Sequence, residues 1–148
     1  MPVKRYNVGP RMSGAVVNGN TVYLAGLTAD DRSQDVKGQT AQILAKIDAL
    51  LRQAGTDKSR VLSANIWLTD IGTWSQMNEV WDAWVSPGNT PARATVEAKL
   101  AAPGLSVEIM VQAALPEARV AAARPAARKV AKKAAKKAAK KKAAKKKI

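Results

Sequence analysis

Apolar and polar positions recur with clear periods over the first 116 residues, and those periods predict the elements. Two β-prone stretches flank Asn18-Gly19 within residues 15–25 and predict a hairpin. Asn-Gly suits a type I′ turn there, because both central residues tolerate positive φ. Ile43, Leu44, Ile47, Leu50 and Leu51 make one stripe of a helix capped by Asp35 and running to Ala54, with Gly55 as its left-handed C-terminal cap. From Val61 to Thr69 the chain alternates, with Leu62, Ala64, Ile66 and Leu68 as the apolar face. Thr73 and Gln76 have the spacing of a capping box. The helix behind them carries Met77, Val80, Trp81 and Trp84 on one side and ends before Pro87-Gly88.

Two further alternating runs close the pattern. In residues 92–100, Ala94, Val96, Ala98 and Leu100 oppose Arg93, Thr95, Glu97 and Lys99. In residues 106–114, Val107, Ile109, Val111 and Ala113 oppose Ser106, Glu108, Met110 and Gln112. The short link at residues 101–104 predicts that these two strands form a hairpin. The order β-β-α-β-α-β-β, with one apolar face per strand, predicts a two-layer α+β domain with two helices on one mixed sheet. Its second, mixed face contains Trp67 and Met110 and is expected to meet water or another subunit, with a subunit interface favoured.

Charge divides the chain in two. Residues 117–148 carry 14 Lys and Arg against one acid, Glu117, whereas residues 1–116 are within one charge of neutrality. The expected organisation is a body, 1–116, and a basic tail, 117–148. The chain has neither cysteine nor histidine. That removes thiol chemistry, thiolate metal sites and the commonest general base, so zinc and Ser-His chemistry are poor candidates. No apolar leader or membrane-length apolar run occurs, and the expectation is a soluble, cytoplasmic protein.

Candidate chemistry concentrates in Asn89–Glu97 and Val107–Ile109. Arg93 follows a Pro at the start of a strand, where a guanidinium can grip a carboxylate through two parallel hydrogen bonds or form a surface ion pair. Glu108 is mid-strand, where a carboxylate is exposed, paired or working. With a tight hairpin, Glu97 and Glu108 would face one another, and one would protonate more easily.

Gly9-Pro10, Gly14, Leu24-Ala25-Gly26, Met77-Asn78, Pro91 to Val96 and Val107-Glu108-Ile109 occur in an order and spacing that resemble the RidA/YjgF family of reactive-intermediate deaminases. The resemblance spans residues 7 to 115. It implies a chorismate-mutase-like α+β fold, homotrimers with clefts between subunits, and hydrolysis of enamines and imines to 2-oxo acids and ammonia without a cofactor or metal. It also implies that Arg93 binds the substrate carboxylate and Glu108 places or activates water. The backbone at Gly26 would line the site, and Trp84 would close it. Two positions depart from the family pattern. Arg11 stands where the best-known members have tyrosine after Gly-Pro, and Ala25 stands where many have serine. Both bear on which substrate is bound.

In the tail, Lys132-Lys133, Lys136-Lys137 and Lys140-Lys141 repeat every four residues between alanine pairs. Like charges at that spacing oppose a helix in water, so disorder is expected in isolation. Neutralisation by a polyanion would favour helix. Lysine without a guanidinium fork is expected to bind nucleic-acid phosphates without reading sequence. The leading reading is a trimeric imine deaminase tethered to nucleic acid, a tether that would place it at the nucleoid. A non-catalytic nucleoid-associated trimer with a ligand-sensing cleft is second, and a ribonuclease is third.

Overall fold

The stripe at Ile43, Leu44, Ile47, Leu50 and Leu51 is buried along helix α1 (Val36–Ala54) and forms the centre of the helical layer. The computed structural model describes residues 2–122 and residue 136. The chain divides into two compact units, Met1–Pro116 and Glu117–Ile148. Both expected caps of α1 form: Asp35 accepts from the Gly38 amide at 2.9 Å, and Gly55 adopts φ of 90°. Helix α2 (Trp74–Trp84) buries Met77 and Trp81. Its N-terminus is not the expected capping box. Thr73 ends a 3-10 turn, Ile71–Thr73, and its hydroxyl donates to the Asp70 carbonyl at 2.6 Å, leaving no side-chain cap for α2.

Beneath the helices lies one mixed sheet of seven strands: β1 (Lys4–Val8), β2 (Ser13–Asn18), β3 (Thr21–Leu24), β4 (Leu27–Thr28), β5 (Val61–Leu68), β6 (Ala92–Glu97) and β7 (Val107–Ala114). Its spatial order is β1-β2-β3-β7-β5-β6, with β4 also paired to β7. The expected two-layer α+β fold is present, with β1 and β4 added to the strands that the pattern predicted. The hairpin turn sits one residue later than expected. Asn18 pairs with Thr21, so Gly19 and Asn20 turn the chain, and only Gly19 of the two has positive φ, 63°. A left-handed glycine in the first central position is the type II′ pattern.

The expected hairpin of the last two strands does not form. Strand β6 runs parallel to β5, and β7 pairs with the other side of β5 in antiparallel register. The crossover through α2 makes β5 and β6 parallel. Residues 98–106 then pass over the end of β5: the Ala98 amide donates to the Leu68 carbonyl, and Thr69 to Ser106. Glu97 and Glu108 therefore do not face each other. Glu97 is opposite Leu68 and accepts from the Ile71 amide at 3.0 Å, whereas Glu108 is opposite Trp67.

The faces of two strands also differ from expectation. A bulge between Val61 and Ser63 turns Val61 into the core and leaves Leu62 exposed. In β6, Arg93 and Thr95 are half-buried in register with core residues Ala64 and Ile66, while Ala94 and Val96 lie exposed on the opposite face. An edge strand has one flank without neighbours, so its less polar alternate face need not be the buried one.

Gln39, fully buried on α1, was not anticipated. Its Nε2 donates to the Gly104 carbonyl at 2.8 Å and the Gln34 carbonyl at 3.0 Å, and its Oε1 accepts from the Ser106 amide at 2.8 Å. It fastens the segments before α1 and before β7 to the helix. Before β5, the hydroxyl and amide of Ser59 bond to the Asp57 carboxyl and hold it below the usual carboxylate range. In the second unit, residues 117–122 are helical. Alanine, arginine and an acid in the first turn suit that conformation. Among the described residues no helix is long and apolar enough to cross a membrane.

Candidate active site

Strands β3 and β4 behave as one interrupted strand along β7. Tyr23 pairs with Gln112 and Leu27 with Ile109, so four steps on one side match three on the other. The extra residue falls in Leu24-Ala25-Gly26, and such bulges re-aim the chain locally. The Ala25 amide turns away to donate to the Gly14 carbonyl at 2.9 Å. Gly26 comes directly beneath Glu108. A Cβ built on Gly26 would overlap the Glu108 carboxylate oxygen, so only glycine admits that side chain in this position.

Glu108 is half-buried on the sheet face away from the helices. Its register neighbours are Thr28 on β4 and Trp67 on β5, with Val96 beyond Trp67 on β6. Thr28 and Trp67 were not among the expected site residues. Trp67 was legible only as part of a mixed face, and Thr28 had no signal, because its placement depends on the bulge. Tyr23, Met110, Trp67 and Val96 give this face a substantial apolar area, part of it exposed.

Arg93 lies on the other face. Its guanidinium carbon sits 5.3 Å from the centroid of the Trp81 ring. Among the described residues it makes no ion pair, so the reading of a surface ion pair with a neighbouring acid does not apply here. Trp84 is beside Trp81, with ring centroids 5.2 Å apart; its Nε1 donates to Asp48 at 3.1 Å, and the Lys58 ammonium lies 5.7 Å over its ring. Thr95 Oγ1 and Asn78 Oδ1 are buried without a hydrogen-bond partner.

The expected residues therefore fall into separate groups. Glu108, Gly26 and Ala25 come together around the bulge. Arg93 joins Trp81 and Trp84 behind the sheet. Arg93 and Glu108, expected on one face, point to opposite faces of strands separated by β5 and lie three residues apart along the strand direction, which puts their backbones about 14 Å apart. The reason is the inversion of β6 described above. Arg11 is exposed in the loop between β1 and β2. Of the tail lysines, Lys132, Lys133, Lys137, Lys140 and Lys141 lie outside the described residues, and Lys136 is exposed. Two open surface depressions, of about 450 and 350 Å³, are lined by residues other than Arg93 and Glu108.

Comparison with known proteins places this arrangement in a family. The family model described as Endoribonuclease L-PSP matches residues 5–115. A RutC family protein from Haemophilus ducreyi is 41% identical over 113 residues, 76% of this chain and 97% of that protein. The RutC family protein YoaB of Escherichia coli is 41% identical over 115 residues, 78% of this chain and 100% of that protein. Among solved structures, a YjgF family protein from Neisseria meningitidis superposes with a TM-score of 0.77 at 43% identity, covering 78% of this chain and 97% of that one. With a family match across the body and relatives at this identity, the chain belongs to the RidA/YjgF family.

Proposed function

We propose that the protein hydrolyses small 2-imino and enamine carboxylic acids to 2-oxo acids and ammonia, at sites shared between subunits of a homotrimer. The observation that carries this reading is Arg93: a half-buried guanidinium, 5.3 Å from the centroid of an indole ring, with no acid partner among the described residues. Such a group is ready to take a carboxylate from outside. Glu108 is the matching proton carrier, seated where the bulge and Gly26 leave room beside it. Their opposite directions within one chain favour a site that combines Arg93 of one subunit with Glu108 and Gly26 of the next. The part-exposed apolar face around Glu108 suits an interface between copies.

The chemistry balances without a cofactor. Water adds to the imine carbon as Glu108 accepts its proton. The proton passes to nitrogen, the hydroxyl of the resulting carbinolamine gives up its own proton to the amine as the carbon–nitrogen bond breaks, and a 2-oxo acid and ammonia leave. The protein has mainly to hold a carbon that is already electrophilic against a placed water. Arg11 and Ala25, both at departures from the family pattern, would border this site and bear on substrate choice; Trp84 would act through the Arg93 side of it. The ribonuclease reading is weaker, because a chain without histidine lacks the usual shuttle for a phosphodiester proton.

The decisive measurement is disappearance of 2-iminopropanoate generated in situ. Acceleration over buffer is expected, and intact trimers without acceleration would refute the deaminase. The tail, with its net charge of +13, is proposed to hold the trimer on nucleic-acid phosphates. Affinity for duplex DNA is expected to fall with salt at a log–log slope of about −0.9 per neutralised phosphate. Ending the chain after Pro116 should remove that binding and leave imine turnover unchanged. Unaltered DNA affinity would show that the tail is not the contact.

A further inference from the structure

Arg93 sits on an edge strand, where a long cationic side chain would ordinarily sweep through many rotamers. Here it lies over a buried ring. Trp81 is 4% exposed and seated on the inner side of α2. Its neighbour Trp84 is tied to α1 through the Nε1–H bond to Asp48. The antiparallel run of α2 over β6 sets this meeting: Arg93 reaches Trp81, while Glu97, four residues on, reaches the start of the preceding turn at Ile71.

We propose that Trp81 is the positioning residue for Arg93, holding the guanidinium by its flat face so that its N–H edges stay free for the substrate carboxylate. The inference rests on the reading of Arg93 as the carboxylate anchor. A guanidinium engages an aromatic ring through its face and a carboxylate through its in-plane donors, so both contacts can exist together. Rotamer freedom already removed on folding is not lost again when substrate binds. The brace acts on the carboxylate, which adjoins the reacting carbon but makes and breaks no bond in the hydrolysis. Its loss therefore weakens ground state and transition state alike and appears in KM rather than kcat.

The test compares Trp81→Leu, Trp81→Phe and Arg93→Ala in the full chain, using 2-iminopropanoate turnover and calorimetric binding of pyruvate as a carboxylate probe. Trp81→Leu should raise KM and the pyruvate Kd about tenfold with kcat within about threefold, and Trp81→Phe, which keeps a ring face, should recover most of the loss. A folded Trp81→Leu protein with unchanged KM overturns the brace, as does an equal loss in Trp81→Phe. If Arg93→Ala binds pyruvate like the parent, the anchor reading itself fails. If only Arg93→Ala loses binding, the anchor stands and the brace falls. Should Trp81→Leu not fold, NMR of the parent decides: upfield ring-current shifts at the Arg93 side chain support the brace, and averaged shifts overturn it.

Discussion

Arg93→Ala is expected to lower kcat/KM for 2-iminopropanoate by about 10²- to 10³-fold while leaving the oligomeric state and melting temperature close to the parent. The expected loss is that of two charge-assisted hydrogen bonds to a carboxylate. Stability should change little, because Arg93 makes no ion pair among the described residues and its contact with Trp81 is partly exposed. Glu108→Gln should behave differently. The amide keeps the shape over Gly26 but cannot accept the water proton, so kcat should fall by about 10²- to 10⁴-fold with KM much less affected. Steady-state kinetics of both variants, with the parent as reference, separate anchoring from proton transfer. Equal effects on KM and kcat in both variants would contradict the division of roles. Mixing Arg93→Ala with Glu108→Gln subunits adds a geometric check. If the site is shared between copies, refolded mixtures should regain part of the activity that neither variant has alone.

The second large effect concerns stability. Gln39→Leu should destabilise the body by about 3 kcal/mol in urea denaturation. It leaves the part-buried Gly104 and Gln34 carbonyls and the Ser106 amide without the partner that three hydrogen bonds tie them to, each bond worth about 1 kcal/mol net. Hydrogen exchange should quicken first at residues 31–34 and 104–106, the two segments that the glutamine fastens. A loss below about 0.5 kcal/mol would mean that these groups find other partners. The first of these segments follows β4, so its loosening should also raise exchange at Leu27 and Thr28 beside Glu108.

The two cases show why legibility was uneven. The stripe of α1 and its caps were readable, because apolar spacing, Asp35 and Gly55 each act within a few residues of chain. Gln39 was unreadable for the opposite reason. A glutamine inside a helix looks like solvent-facing polarity until residues 65 and 67 positions away are brought against it. Trp81 is similar. Its burial followed from its place beside Met77, but its contact with Arg93 depends on which way β6 presents its alternate faces.

The sequence by itself determined the α+β class, the two helices, the neutral body with its basic extension, and the residues worth testing. These properties depend on local period, composition and short motifs, which act over short stretches of chain. Tertiary structure alone decided that β6 lies beside β5 rather than β7, that two bulges reset which residues face the core, and that Arg93 and Glu108 look away from each other. A strand's alternation says that it has two faces but not which neighbour it takes or which face is buried. Those choices come from the crossover through α2 and the packing of the whole sheet. They turn a pair that reads in sequence as one group into two groups on opposite faces of the sheet.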